Sequence, residues 1–130
     1  MPDNHPMQPV IEKYAGLPFQ WGRSDCCTFV GECIEAMGKK NPMHKLRYTD
    51  GVGAAQVLSR AGGLAGAISY WLRTNEIPIE PADGDVALIP DNNGHYAAAI
   101  VFRGRLVAKT QTGLMDYPLE HATRFWRCRR

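Results

Sequence analysis

The sequence predicts one α+β domain in which N-terminal helices pack on a small antiparallel sheet. Helical periodicity of apolar residues prevails up to residue 72, whereas short apolar runs separated by turn residues follow from Ile77 onward. Helices followed by strands are typical of the α+β class. The 130 residues, of which 45% are hydrophobic and 22% charged, suffice for one hydrophobic core and are too few for two. We therefore treat residues 1–130 as a single domain.

Helix boundaries follow from capping residues. The clearest helix begins after Asp25, a favourable N-cap, and ends before Gly38, a typical helix stop. Between them the apolar residues form one stripe, which consists of Cys26, Val30, Cys33, Ile34 and Met37. By the same rules the sequence predicts helices over residues 9–15, 50–61 and 64–72, although Gly66 disfavours the last of them.

The second part of the chain is predicted to form an antiparallel sheet. Short β-prone runs between turn residues are typical of strands. The predicted strands are residues 77–79, 86–89, 96–102, 106–110 and 125–127. Arg103-Gly104-Arg105 has the composition of a tight hairpin loop between two of them.

Charge and hydropathy exclude several classes of function. A formal net charge of +2 is too weak to indicate nucleic-acid binding. The longest apolar run, residues 96–102, is far too short to span a membrane. The N-terminus lacks the basic and apolar segments of a secretory signal, so we expect synthesis in the cytoplasm. We expect the arginine-rich residues 124–130 to form a solvated charged terminus.

The four cysteines are expected to be reduced. Cys26 and Cys27 are adjacent, and neighbouring cysteines rarely form a disulfide with each other. A metal site built from these two with Cys33 and Cys128 is disfavoured, because structural zinc sites use pairs of cysteines separated by two to four residues. The sequence therefore predicts neither a metal nor a cofactor.

Cys26 is the candidate nucleophile. In the first turn of a helix capped by Asp25, unpaired N–H groups and the helix dipole favour a thiolate. The alternative is that Cys26 is a small buried apolar residue, which is our interpretation of Cys33 on the apolar stripe. Cys27 points away from the stripe, and we expect it to have a packing role or no role in the chemistry.

His95 is the candidate base. It opens the apolar strand 96–102, so a rigid element would hold its imidazole at the rim of the sheet. A helix-start cysteine and a strand-start histidine form the dyad of papain-type enzymes, and the alternative is a plain turn histidine. We expect His5 in a frayed terminus, His44 in a solvated loop and His121 facing solvent near the C-terminus.

Three ordered motifs resemble those of NlpC-type cysteine peptidases. Gly22-Arg-Ser-Asp25-Cys26 before a helix resembles the nucleophile motif, and Gly84-Asp85-Val86 resembles the Gly-Asp strand signature. Gly94-His95-Tyr96-Ala97 resembles the strand that bears the catalytic histidine. The resemblance covers roughly residues 16–110, and the Pro18-Phe-Gln-Trp-Gly22 segment is most similar to small relatives encoded with phage tail genes.

The resemblance implies a papain-like fold and a function. Cys26 would attack an amide bond of the peptidoglycan stem peptide, as an endopeptidase or amidase, and His95 would transfer the protons. An acyl-enzyme would form, and N–H groups at the helix start would hold the oxyanion. No cofactor is implied. The expected partners are the peptidoglycan peptide and other phage tail proteins, with the chain in the virion tail or delivered to the periplasm and cell wall.

Two departures from the family pattern leave a second hypothesis open. Phe19 stands where many members carry a tyrosine hydroxyl, and Gln20 is the candidate oxyanion donor in its place, unless it is an exposed turn residue. Ala108 stands where the family has a polar third member; Gln111 is the candidate substitute, although alternation puts it on the opposite strand face. The chain is therefore either an active hydrolase or an inactive tail or assembly protein that keeps the fold.

Overall fold

Helices precede strands along the chain, which confirms the predicted α+β class. The computed structural model describes residues 5–43, 48–60, 63–73, 77–90 and 95–128. The helices are α1 (Gln8–Ala15), α2 (Cys26–Ala36), α3 (Gly51–Arg60) and α4 (Gly63–Leu72), close to the predicted bounds.

The strands form one antiparallel sheet of five members in the order β4-β3-β2-β1-β5. They are β1 (Val86–Pro90), β2 (Tyr96–Phe102), β3 (Arg105–Thr110), β4 (Gly113–Pro118) and β5 (Arg124–Trp126). The β2–β3 hairpin turns at Arg103 and Gly104, whose φ angles of 52° and 79° are those of a type I′ turn. The predicted hairpin loop is confirmed.

Each face of the sheet carries its own apolar cluster, because the side chains of β2 alternate. On the face covered by α2, Ala98 and Ile100 belong to a cluster with Phe29. On the other face, Ala99 and Val101 belong to a second cluster, closed by residues of the C-terminal part of the chain. Residues of β2 with even numbers therefore face the helix that begins at Cys26.

Two strand assignments from the sequence need correction. Residues 77–79 are not a strand: Ile77 and Ile79 are 62% and 99% exposed, so neither has an apolar face to pack against. Pro78 between them also lacks the N–H group that a strand ladder uses. Strand β4 was not predicted, because none of its residues is buried and they show no apolar alternation.

The N-terminal segment is anchored, so the expectation of a frayed terminus is wrong for His5. The His5 ring accepts a hydrogen bond from the Met7 N–H and contacts the Asp83 carboxylate at 2.7 Å. Its ring also packs edge-on against Phe102. These contacts tie His5 to the loop before β1 and to the end of β2.

Lys109 joins the sheet to the segment that leads to the α2 N-terminus. Although only 2% exposed, its ammonium group donates hydrogen bonds to the carbonyl oxygens of Tyr14, at 2.9 Å, and Leu17. The Tyr14 carbonyl lies in the last turn of α1 and also accepts the Leu17 N–H at 3.3 Å, whereas the Leu17 carbonyl lies just beyond the helix. A cation on β3 therefore completes the end of α1.

We expect Lys109→Met to lower the free energy of unfolding by about 1–3 kcal/mol, because the carbonyl oxygens of Tyr14 and Leu17 lose the hydrogen bonds that the ammonium group donates. Urea denaturation measures this loss. Lys13→Met is the matched control: it removes an exposed ion pair with Glu32 and should cost less than about 1 kcal/mol. Equal losses in the two variants would contradict the assigned role of Lys109.

Candidate active site

The first turn of α2 is closed by a reciprocal capping box. The Asp25 side chain accepts the Thr28 N–H at 2.9 Å, and the Thr28 hydroxyl oxygen accepts the Asp25 N–H at 2.9 Å. The predicted N-cap is confirmed. This cap fixes the direction in which α2 leaves the preceding loop, and with it the position of Cys26.

The second carboxylate oxygen of Asp25 holds two more segments. It accepts the Gly22 N–H at 2.9 Å and the Tyr48 hydroxyl at 2.7 Å, and Asp25 is only 1% exposed. Gly22 has a φ of 81°, and a Cβ there would lie 2.0 Å from the Tyr48 carbonyl oxygen. Only glycine fits this close approach. The loop before Cys26 is therefore held both by the Asp25 carboxylate and by the close approach of the Tyr48 backbone.

Cys26 is a partly exposed residue, and the surroundings of its thiol favour the thiolate. A hydrogen bond from the Cys27 thiol is the largest cause that lowers the pKa of Cys26, and the N–H groups of Ala98 and of Cys26 itself act in the same direction. Burial and the negative charge of Asp25 oppose them, but the net pKa lies below the ordinary value. The direction of this shift is the one that the sequence predicts for a thiol at a helix start, and the role of Cys26 as nucleophile stays a prediction.

The Ala98 N–H is available to Cys26 because β2 and β3 no longer pair at this residue. The Val101 N–H bonds the Asp85 carbonyl on the β1 side, so alternation directs the Ala98 N–H towards β3. The β2–β3 ladder runs only from Phe102↔Arg105 to Ile100↔Val107. Ala98 lies two residues beyond its end, where its N–H meets the thiol of α2 instead of a strand.

The other two cysteines of α2 have protonated thiols. Burial raises the pKa of Cys33, which lies on the apolar stripe in the core as predicted. The pKa of Cys27 is also raised, first by its hydrogen bond to Cys26 and then by burial. Cys27 is buried, which agrees with the packing role that the sequence predicts for it.

His95 lies directly before β2 and is exposed. Continued alternation of β2 assigns it to the face of Ala97 and Ala99, whereas the thiol of Cys26 meets β2 at Ala98. His95 is thus three residues along the strand from the point of contact. Its role as base stays a prediction.

The two glutamine candidates are both exposed. Gln20 forms an isolated β-bridge with Ser24 in the loop before α2, so it is near the helix start in sequence and in space. Gln111 lies in the turn between β3 and β4, and Ala108 belongs to the cluster on the face away from α2. The proposed oxyanion and third-member roles stay predictions.

Asp85, directly before β1, has a structural role. Its carboxylate accepts the Ala82 N–H at 2.9 Å and the Cys128 N–H at 3.4 Å, and the Arg127 guanidinium lies 3.6 Å away. The C-terminal segment is thus partly packed rather than wholly solvated, since the Arg124 guanidinium also stacks on the Trp126 ring. Residues 129–130 and His44 lie outside the described ranges.

Tyr48 is the site residue that the sequence did not reveal. It contacts Asp25 through its hydroxyl, and its ring is 6.4 Å from that of Trp21, which in turn contacts Phe19 edge-on at 4.9 Å. These three aromatic rings form a wall beside the loop that precedes Cys26. No local pattern around Tyr48 could have indicated this contact.

Within the described ranges, no group of three or more histidine, cysteine, aspartate or glutamate side chains is arranged to hold a metal ion. None of the helices there has the length and apolar character that crossing a bilayer requires.

Comparison with known proteins identifies a family. No curated protein matches the chain. The sequence profile of a domain of unknown function, DUF6950, matches residues 2–128. Since this match extends over nearly all of the 130 residues, the protein belongs to the DUF6950 family.

Proposed function

We propose that this protein is a cysteine-dependent hydrolase of amide bonds in the peptidoglycan stem peptide, with Cys26 as its nucleophile. The observation that carries the proposal is the position of Cys26, a partly exposed residue, at a capped helix N-terminus, where the neighbouring Cys27 and Ala98 donors lower the pKa of its thiol. A low-pKa, accessible thiol is what nucleophilic catalysis by cysteine requires. The resemblance to NlpC-type peptidases supplies the papain-like fold, the substrate class and the association with phage tails.

The proposed reaction has two steps. The Cys26 thiolate attacks the carbonyl carbon of the amide, the N–H groups at the start of α2 stabilise the oxyanion, and the amine leaves with a proton from His95. Water then attacks the resulting thioester while His95 accepts a proton from it. This releases the new carboxylate and restores the thiolate.

The position of His95 along β2 limits how its imidazole can act as the base. At a rise of about 3.3 Å per residue, its backbone lies roughly 10 Å along β2 from Ala98. Proton transfer to a substrate amine therefore requires the imidazole to turn over the end of β2 towards α2. Because His95 is exposed and precedes the regular strand, this rotation does not disturb the β2 ladder.

We expect the wild-type protein to release muropeptides with newly exposed amino groups from purified peptidoglycan. Mass spectrometry of the soluble fraction identifies the cleaved bond. Protein alkylated beforehand with iodoacetamide is the control and should release nothing, because alkylated Cys26 has no nucleophilic sulfur. Equal release by alkylated and untreated protein would overturn the proposal.

The second candidate function is that of a non-catalytic tail or assembly protein. It is favoured by the alternation of β2, which brings Ala98 rather than His95 to the thiol, and by Ala108 on the far face of the sheet. This candidate predicts that peptidoglycan stays intact.

A further inference from the structure

We propose that the open edge of β2 at Tyr96 binds the stem peptide of the substrate as an additional strand. The Tyr96 main chain hydrogen-bonds the extended peptide, and the Tyr96 ring packs against its side chains. The identity of the peptide rests on the proposed hydrolase function. Binding itself can be measured without any cleavage.

The ladder between β2 and β3 ends before β2 does. Its last pair is Ile100↔Val107, whereas β1 pairs with β2 as far as Tyr96. Strand β3 itself continues beside β4 up to Thr110. Within the described residues, no strand therefore pairs with residues 96–98 on the side of β3.

The main chain of Tyr96 directs its polar groups towards this open side. In an antiparallel sheet the N–H and C=O groups of one residue point to the same neighbouring strand, and those of the next residue point to the opposite one. Val101 uses both groups on the β1 side: its N–H donates to the Asp85 carbonyl at 2.9 Å, and its carbonyl accepts the Gly84 N–H at 3.0 Å. The groups of even-numbered residues, Tyr96 included, therefore point away from β1. Such an unpaired edge is a template for another strand.

The Tyr96 side chain lies on the sheet face that carries the candidate nucleophile. Even-numbered residues of β2 face α2, and Ala98 and Ile100 are fully buried there. Cys26 packs against the same cluster, and its thiol meets the Ala98 N–H. Tyr96 lies roughly 6.6 Å further along the strand and is 54% exposed. An aromatic ring on this face is therefore open to a ligand that reaches Cys26.

These features select a peptide rather than a glycan chain. In strand addition the main-chain hydrogen bonds supply affinity, and contacts with alternate side chains supply specificity. A stem peptide has N–H and C=O groups along an extended main chain, whereas the sugar backbone of peptidoglycan has no such alternation. A peptide at this edge also passes His95, the candidate base, which directly precedes Tyr96.

The test is the titration of Cys26→Ala protein, which lacks the nucleophile, with a synthetic stem peptide. Heteronuclear NMR of nitrogen-15-labelled protein follows the amide of each residue. We expect the Tyr96 amide signal to shift and its hydrogen exchange to slow on binding. The Ala97 amide points to β1, where Ala97 pairs with Ile89, and should respond less. Peptide-free glycan chains should produce neither change.

Substitutions of Tyr96 separate the contribution of the ring from that of the main chain. Tyr96→Ala removes the ring, whereas Tyr96→Pro removes the ring and the N–H; proline is tolerated on an edge where the N–H belongs to no ladder. In the Cys26→Ala background we expect Tyr96→Ala to weaken stem-peptide binding roughly tenfold. Tyr96→Pro should weaken it roughly a further three- to tenfold, as expected for one hydrogen bond.

Two variants serve as controls for these affinities. Tyr96→Phe keeps the ring and the main chain, and it should bind the stem peptide as the parent protein does. Tyr70→Ala removes a tyrosine that is 77% exposed on α4 and should leave binding unchanged. Equal weakening by Tyr70→Ala and Tyr96→Ala would contradict a specific role of Tyr96.

The outcomes separate this inference from the proposed hydrolase function. A Tyr96 amide that does not respond to the peptide would overturn the inference, as would unchanged affinity in folded Tyr96→Ala protein, even if the wild type cleaves peptidoglycan. If the peptide binds at Tyr96 but the wild type releases no muropeptides, the inference stands and the hydrolase function fails. If Tyr96→Pro does not fold, the Tyr96 amide response and the affinity of Tyr96→Ala still decide.

Discussion

Cys26→Ala protein should release muropeptides from peptidoglycan at least about a thousandfold more slowly than the wild type. In covalent catalysis the nucleophile acts as a unit with its base, so its removal eliminates almost all of the rate enhancement. The fold should persist, because Cys26 is only partly buried and the capping box of α2 is formed by Asp25 and Thr28. Initial rates of product release, measured by mass spectrometry, quantify the effect.

Cys33→Ala is the control for the loss of a thiol from α2. Cys33 is fully buried in the core, and burial keeps its thiol protonated by raising its pKa. We expect this variant to be less stable but to retain hydrolysis within a few-fold of the wild type. Undiminished product release by folded Cys26→Ala protein would contradict the assignment of the nucleophile, whatever the control shows.

Asp25→Ala should produce the largest loss of stability among substitutions near the site. The carboxylate accepts hydrogen bonds from the Thr28 N–H, the Gly22 N–H and the Tyr48 hydroxyl, and the residue is almost completely buried. An N-cap contributes about 0.5–2 kcal/mol, and hydrogen bonds to a charged group about 1.5–3 kcal/mol each. Since such contributions are not additive, we expect the free energy of unfolding to fall by about 3–5 kcal/mol, measured by urea denaturation.

Asp25→Asn separates the cap from the charge. Asparagine is an equally favourable N-cap, so this variant should lose less stability than Asp25→Ala. Asp25→Asn should nevertheless favour the thiolate form of Cys26. Although the Cys27 hydrogen bond is the main influence on Cys26, the charge of Asp25 raises the pKa of this thiol, and its removal should lower the pKa further.

Alkylation of Cys26 in Asp25→Asn protein should therefore begin at lower pH than in the wild type. Thr28→Val, which removes the hydroxyl partner from the same capping box without changing any charge, is the matched control and should shift the profile less. A Cys26 profile that moves to higher pH in Asp25→Asn would show that the cap, rather than the charge, governs the thiol.

Local chemistry was enough to predict the helices and most of the strands. The helix that begins at Cys26 follows from one capping residue, Asp25, and from an apolar stripe, both of which act within a few residues. The errors concern segments whose secondary structure depends on pairing with another strand. Strand β4 forms because it pairs with β3 along its whole length, despite its exposed side chains. Within the described part of the chain, residues 77–79 pair with no strand; Ile77 and Ile79 remain exposed, and only Pro78 is buried.

The candidate site likewise contains residues that the sequence indicates and residues that only the folded chain brings there. Cys26 is recognisable from the sequence because the electrostatics of a helix N-terminus depend only on local backbone geometry. Tyr48 could not be predicted, since it reaches Asp25 across 23 residues of chain. The Ala98 N–H could not be predicted either, because its contact with the thiol arises from the end of the β2–β3 ladder.

By itself, the sequence determined that a cysteine starts a capped amphipathic helix and that strands follow it. Capping, periodicity and turn chemistry are short-range effects, and they act before distant segments meet. The tertiary structure decided which groups surround the sulfur: Cys27 and Ala98 as donors, with Asp25 held by Tyr48. The proton affinity of a thiol depends on burial and on charges a few ångströms away. Those distances exist only once the helix has packed against the open edge between β2 and β3.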